Sequence, residues 1–274
     1  MIRFANHIWR GALGVGVLLG MLNGVSGVCA TPIVANSRTN AIDYEEPKLL
    51  VGTIFEMAPD PKKVLFTSQR TATRSGSTVR VVCEYTYPDG SLAARETMVY
   101  VAGKFASFDL EELQTFEKGR VAVRPDPKNP EKEKLFFEYT IGQGSDARKK
   151  SNTEALENET LVDDMIPQFI VTHWDALLKG SPAKFRYIAL SRAETVGFKL
   201  VKESETTWHG KPVVRIKMEP TSLIIAQLVD PLFFVVEKDG AHRIVEYIGR
   251  TTPQIKKNNG KWKDLDAVTI FDSK

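Results

Sequence analysis

The chain has 274 residues, of which 42% are apolar and 26% charged. That balance excludes an intrinsically disordered chain, a collagen-like chain and a polytopic membrane protein. The length supports a core that needs neither disulfides nor a metal, and the formal charge of +3 is too even to mark a nucleic-acid surface.

Arg3 and Arg10 form a positive leader start, Gly11 to Val25 is apolar and uncharged, and Val28-Cys29-Ala30 is a small-residue cleavage site. The apolar run contains five glycines and falls short of the roughly 20 residues of a spanning helix. A signal peptide over residues 1–30, cleaved after Ala30, is therefore expected, with export to the periplasm. Ser26-Gly27-Val28 before Cys29 lacks a lipobox pattern, so no lipid anchor and no integral membrane segment are expected after processing. Cleavage leaves 35 basic residues against 34 acidic ones. No nucleic-acid partner is expected, and the densest basic cluster, Arg148-Lys149-Lys150, reads as a solvated loop. Cys83 remains as a lone thiol. The apolar odd positions of Val79 to Tyr85 make it a buried small hydrophobe.

Residues 31–47 are polar, hold Pro32 and Pro47, and read as a flexible arm before a single domain over 48–274. Strands are expected over 49–55, 64–73, 77–87, 92–101, 119–123 and 135–141. Pro88-Asp89-Gly90-Ser91 is a hairpin turn, since Asp-Gly accepts the positive φ of tight turns. The prolines of Arg124 to Pro130 exclude a central strand there, and 142–158 reads as a polar loop. Thr160 to Lys179 has helical periodicity from Leu161 to Leu178 and a capping-box-like Thr160/Asp163 pair, with Pro167 as a kink or a late start. Strands follow over 185–190, 194–201, 213–218, 233–237, 243–249 and 267–271. A short apolar helix lies between Pro220 and Pro231, and hairpin turns fall at Trp208 to Lys211 and Lys238 to Ala241.

The expected fold is mainly β (α+β): a curved antiparallel sheet or incomplete β-barrel, with one long and one short helix on its concave face. Phe169, Ile170, Trp174 and Leu177 on the first helix, with Leu223, Ile224, Leu228 and Val229 on the second, either line an apolar ligand cavity or fill the core. His173, His209 and His242 show no metal spacing, no serine elbow occurs, and Gly142-x-Gly144 does not continue into a dinucleotide fingerprint. No catalytic residue, metal site or cofactor is expected. Asp163 and Asp164 read as favourable charges at a helix start, and Glu246 with Arg250 as a salt bridge on one sheet face.

Phe185-Arg186-Tyr187-Ile188-Ala189, Glu194-Thr195-Val196-Gly197-Phe198, Met218-Glu219-Pro220-Thr221-Ser222, Leu228-Val229-Asp230-Pro231 and Glu246 to Thr251 resemble uncharacterised envelope proteins of Gram-negative bacteria. The first half shares only the Tyr87-Pro88-Asp89-Gly90 hairpin with them. Those proteins are similar in strand–helix order to the lipoprotein carriers LolA and LolB, half-barrels with helices in the mouth. The resemblance implies a periplasmic half-barrel without known catalytic machinery. The functional expectation is a non-enzymatic binding or carrier protein for a lipid, acyl chain or other apolar ligand. The alternative is an envelope interaction module using a sheet edge or the Trp208 hairpin, with a hydrolase third. Intact-mass measurement of the exported protein should give a chain that starts at Thr31, with no diacylglycerol on Cys29.

Overall fold

A computed structural model describes residues 42–57, 63–227, 229–257 and 259–272. The leader over 1–30, the arm over 31–41 and Leu228 lie outside the described residues. The first half of the chain is an uninterrupted meander: β1 (Leu49–Glu56), β2 (Val64–Ser75), β3 (Thr78–Thr86), β4 (Leu92–Val101), β5 (Lys104–Glu112), β6 (Glu117–Asp126), β7 (Asn129–Ile141) and β8 (Arg148–Ala155). A two-residue β9 (Thr160–Leu161), a 3-10 turn at Asp163–Met165, α1 (Ile166–Thr172) and α2 (Trp174–Leu178) follow. The second meander comprises β10 (Ala183–Ala189), β11 (Glu194–Trp208), β12 (Lys211–Pro220), β13 (Leu232–Glu237), β14 (Ile244–Lys256) and β15 (Trp262–Phe271), with α3 (Leu223–Ala226) between β12 and β13.

All fifteen strands form one sheet in the order β8-β7-β6-β5-β4-β3-β2-β1-β15-β14-β13-β12-β11-β10-β9. Its ladders are antiparallel except β9–β10, which is parallel. The two edge strands, β8 and β9, are neighbours in sequence. Residues 156–159 alone separate Ala155 from Thr160, and five Cα steps of about 3.8 Å cover at most about 19 Å. The sheet must therefore curl until its edges nearly meet, which gives a barrel-like shell.

Side chains close the seam where no ladder does. Asn152 Nδ2 donates to the Ala193 carbonyl at 3.0 Å, and Lys150 Nζ donates to the Ser191 carbonyl at 3.2 Å. Glu154 Oε2 accepts from the Thr195 N–H at 2.9 Å and from its hydroxyl at 2.7 Å. Fully buried Leu190, in the 3-10 turn between β10 and β11, sits on Gly119 of β6, where an added Cβ would lie 2.7 Å from both Leu190 and Tyr139.

Alternation sets what faces inward. Val79, Val81, Met98, Tyr100, Phe108, Leu110, Val121, Leu135, Phe137 and Tyr139 join α1, α2 and the second meander in one large buried cluster. The Asp89-Gly90 turn forms as expected: Gly90 has φ 85°, and Asp89 Oδ1 accepts from the Ser91 N–H at 2.9 Å.

Five expectations are corrected. Strands β5, β8 and β9 were not anticipated. The polar loop at 142–158 contains β8, whose Arg148, Lys149 and Lys150 lie on an exposed edge strand; its polarity reflects an edge held by β7 rather than by burial. The strands expected over 243–249 and 267–271 belong to a longer hairpin, β14–β15, that includes Pro253. The proline-rich segment at Arg124 is the strand-paired tip of β6–β7; register with β5 ends at Ala122, so Pro125 removes no needed donor. The single helix over 160–179 is also broken. Thr160 and Leu161 pair with Arg186 and Tyr187, the Thr160 hydroxyl donates to the Glu157 carbonyl rather than capping, and His173 (φ −103°, ψ 13°) separates α1 from α2. The break redirects the chain so that Trp174 stacks on His242, with ring centroids 4.2 Å apart. Pro167 occupies the first turn of α1, the late start anticipated as one reading.

Gly119→Val should destabilise the fold by about 1–3 kcal/mol through overpacking at the seam. Urea unfolding checks this, with Gly119→Ala as the comparison, which adds the same Cβ against Leu190 and Tyr139 without its branches and should cost less.

Candidate functional site

The alternating sheet connections define two ends. One end carries the β1–β2, β3–β4, β5–β6, β7–β8, β10–β11, β12–β13 and β14–β15 turns, and a hairpin closes it. Register between β14 and β15 shifts between Thr251 and Ile255. Beyond that shift the hairpin crosses the mouth of the shell to strands far away in sheet order. The Thr252 hydroxyl donates to Glu96 of β4, and Gln254 Nε2 donates to Glu117 Oε1 of β6 at 3.1 Å. Under it lies a second apolar cluster of Ile54, Phe66, Tyr85, Ala93, Ala94, Leu265 and Ala267, with Leu65, Cys83, Tyr87 and Ile255 packed against it.

A polar layer borders this compartment. Glu96 is 3% exposed and also accepts from the Tyr85 hydroxyl at 3.3 Å. Burial raises its pKa, and the nearby Asp163 charge adds to the rise. Further in, Arg70 Nε donates to Asp164 Oδ1 at 2.6 Å and Nη2 donates to the Tyr44 carbonyl at 2.7 Å; Nη1 donates to the Pro47 carbonyl. The Tyr100 hydroxyl donates to Asp164 Oδ2 at 2.8 Å, and Tyr187 donates to Asp163 Oδ1 at 2.9 Å. Tyr44 stacks on Tyr100 at 3.9 Å, and its own pKa is pushed up to about 12 by burial and by the Asp164 charge. Residues 44–47 of the expected arm are thus docked on the shell.

Asp163 and Asp164 are therefore not mere helix-start charges, because they bind chain segments across the interior. Glu246 and Arg250 do not pair. Arg250 binds Asp264 and Asp266 across β15 at 2.9 and 2.7 Å, since four residues of strand set Glu246 about 13 Å away. Burial raises the pKa of Glu246. Cys83 is half-buried rather than fully buried, and desolvation pushes its thiol up, so it is a weak nucleophile.

The sequence-derived lining residues divide. Phe169 (7% exposed), Ile170 (0%), Trp174 (6%) and Leu177 (1%) lie in the main cluster, and Val229 packs against it. Phe169 meets Phe185 at 5.2 Å. Ile224 is 68% exposed and stands outside that cluster. Leu223 begins α3, and nothing further of it is described. His173 donates from Nδ1 to the Phe169 carbonyl at 3.0 Å and approaches Glu159; His209 is exposed on its turn. Among the described residues, no three His, Cys, Asp or Glu side chains are placed to hold a metal ion.

The hairpin and Glu96 were missed because Pro253 and the lysines on either side of Asn259-Gly260 mimic a loop, while Glu96 sits inside an otherwise ordinary alternating strand. The signal that existed was alternation in Trp262 to Ala267.

A scan against protein families returns no match, and no curated protein is similar enough to match. Among solved structures the chain is similar to a beta-barrel-like protein of domain of unknown function DUF1849 from Brucella abortus. Identity is 7%, the likeness covers 82% of this chain and 96% of that one, and the TM-score is 0.36.

Two outcomes follow from the buried ions. Arg70→Met strands Asp164 away from water and should cost about 3–5 kcal/mol, whereas Arg120→Ala, which breaks a pair with side chains 51% and 39% exposed, should cost less than about 1 kcal/mol; denaturant titration compares them. For Glu96 the folded pKa lies above the unfolded one, so stability should fall as pH rises from the ordinary glutamate range through that raised value. Glu96→Gln should remove this slope, as read from melting temperature against pH.

Proposed function

We propose that the protein is a non-enzymatic binding or carrier protein of the bacterial envelope, taking an apolar or amphipathic ligand into the compartment beneath the β14–β15 hairpin. The observation that carries this reading is the hairpin itself. It covers an apolar cluster distinct from the main core, and side-chain hydrogen bonds to Glu96 and Glu117 hold it across the mouth. Such contacts are worth about 0.5–1.5 kcal/mol each, or up to about 3 kcal/mol to a charged group. That is small enough for a ligand to displace the hairpin and large enough to keep the compartment shut without one.

Opening would present Phe66, Tyr85, Ala94 and Ala267 to an acyl chain and the Glu96 layer to a polar head. The likeness to LolA and LolB enters here as part of the proposal, with a strand hairpin where those carriers have helices. The ligand site is placed beneath the hairpin rather than along α1 and α2, whose Phe169, Ile170, Trp174 and Leu177 are occupied in packing the core. The interaction-module reading has less support. Trp208 packs against Val213, Val235 and Val245 instead of standing free, and the β8 edge is tied to the 191–195 segment.

A fluorescent fatty acid titrated into the protein should bind saturably. Thr252→Val with Gln254→Leu should speed its uptake several-fold, and Ala94→Phe should block it while the melting transition stays cooperative. Absence of saturable binding by both the wild type and the loosened hairpin variant, across fatty acids and phospholipids, overturns the proposal.

A further inference from the structure

Of eight exposed large apolar side chains among the described residues, five, Met57 (50% exposed), Val64 (36%), Leu113 (41%), Phe116 (47%) and Ile224 (68%), lie on the hairpin-closed end, in the β1–β2, β5–β6 and β12–β13 connections, and three, Ile42, Leu49 and Val101, lie at the opposite end. Three of the tips at that end meet around the cluster beneath the hairpin. Leu65, next to Val64, and Ile255, next to Lys256, both pack against it, and the Leu113 N–H donates to the carbonyl of Ala93 within it.

The same tips carry a lysine group. Lys63, Lys256, Lys257, Lys261 and Lys263 are exposed, and none forms an ion pair among the described residues. Lys256 instead lies 5.9 Å from the ring of half-buried Trp262. Arg250 binds both Asp264 and Asp266, which leaves that trio one negative charge, and exposed Glu56, Asp89 and Asp230 lie on the same end; the excess of base is concentrated at the β14–β15 tip, where four of the five lysines lie. Elsewhere on the shell many basic residues are matched, as in Lys118–Glu111, Arg120–Asp109 and Arg95–Glu84, while Arg148 and Lys149 of the β8 edge are exposed and in no ion pair among the described residues.

Unpaired lysines, a tryptophan and protruding apolar tips on one rim are what an anionic bilayer surface recognises. The lysines meet lipid phosphates, and the apolar tips enter the headgroup–acyl boundary. We propose that this rim docks on an anionic phospholipid membrane, with the β14–β15 tip as its electrostatic contact. The inference stands whether or not the interior binds a ligand, since it rests only on the rim.

The test is co-sedimentation of the full protein, purified from its own host, with large vesicles of phosphatidylcholine containing 0 or 30% phosphatidylglycerol, at low and high salt. Binding is expected only with phosphatidylglycerol and should weaken as salt rises. Each lysine near an anionic surface contributes about a fivefold gain, so Lys256→Gln/Lys257→Gln/Lys261→Gln should lower partitioning by about a hundredfold. Phe116→Ser with Met57→Ser should lower it without changing its salt dependence. Thermal melts verify that each variant is folded. Equal binding to both vesicle types, no binding to either, or unchanged binding by the triple lysine variant overturns the proposal.

Discussion

Four residues, 156–159, join the two outermost strands of a fifteen-stranded sheet, and every other feature of the molecule answers to that link. A flat sheet with strands about 4.8 Å apart would set its edges some 67 Å from each other, while the link reaches at most about 19 Å. Curling is therefore imposed by chain connectivity before any side chain is considered. Strands β1 and β15 zip together in the middle of the sheet, so the first and last strands hold the two meanders as one surface. The remaining gap between the edges is too irregular for a ladder, because β9 is only two residues long. Lys150, Asn152 and Glu154 close it through backbone partners, with Leu190 wedged onto a glycine that leaves it room.

Segments between the strands share the interior of the shell with the strand side chains. In the half built by the second meander the filling is apolar: α1 and α2, broken at His173, turn Phe169, Trp174 and Leu177 into the common core. Elsewhere chain segments cross the interior, and each is fastened by an ionisable group. Arg70 holds the 44–47 segment and, through Asp164, the 3-10 turn before α1; Asp163 is held by Tyr187; Glu96 and Glu117 hold the hairpin. Buried ions add little net stability over well-packed apolar groups, but they penalise every arrangement that leaves them unpaired. They fix where each crossing segment sits. The hairpin is fastened by hydrogen bonds from the Thr252 hydroxyl and the Gln254 amide to carboxylates of β4 and β6.

The hairpin-closed end also differs chemically from the rest of the surface. Along the outer face, cross-strand pairs such as Arg120–Asp109 neutralise one another in register. At the hairpin tip Lys263 pairs with Ile255, Lys256 with Trp262 and Lys257 with Lys261, so no acid stands opposite any of these lysines. The second apolar cluster, the hairpin across it and the lysine-bearing tip thus coincide at one end.

Period-two alternation in stretches such as Val79 to Tyr85 and Phe185 to Leu190, with turn residues such as Asp89-Gly90, determined the mainly antiparallel architecture, because strand periodicity and positive φ are local properties. The break after Val171-Thr172 could not be read locally, since the helical period of Leu161 to Leu178 is consistent with one helix until Trp174 finds His242. β8 was invisible for the converse reason: Arg148 to Ala155 has a loop's composition, and only pairing with β7 makes it a strand. Nor could the chain order reveal that Thr252 meets Glu96, 156 residues away, or that Asp164 meets Arg70. Such contacts depend on how far the sheet curls, which is fixed by the short link between its edges and by nothing in the hydrophobic pattern of any single strand. The sequence determined what each segment can be; the closed shell decided which buried charge faces which, and so where a site can lie.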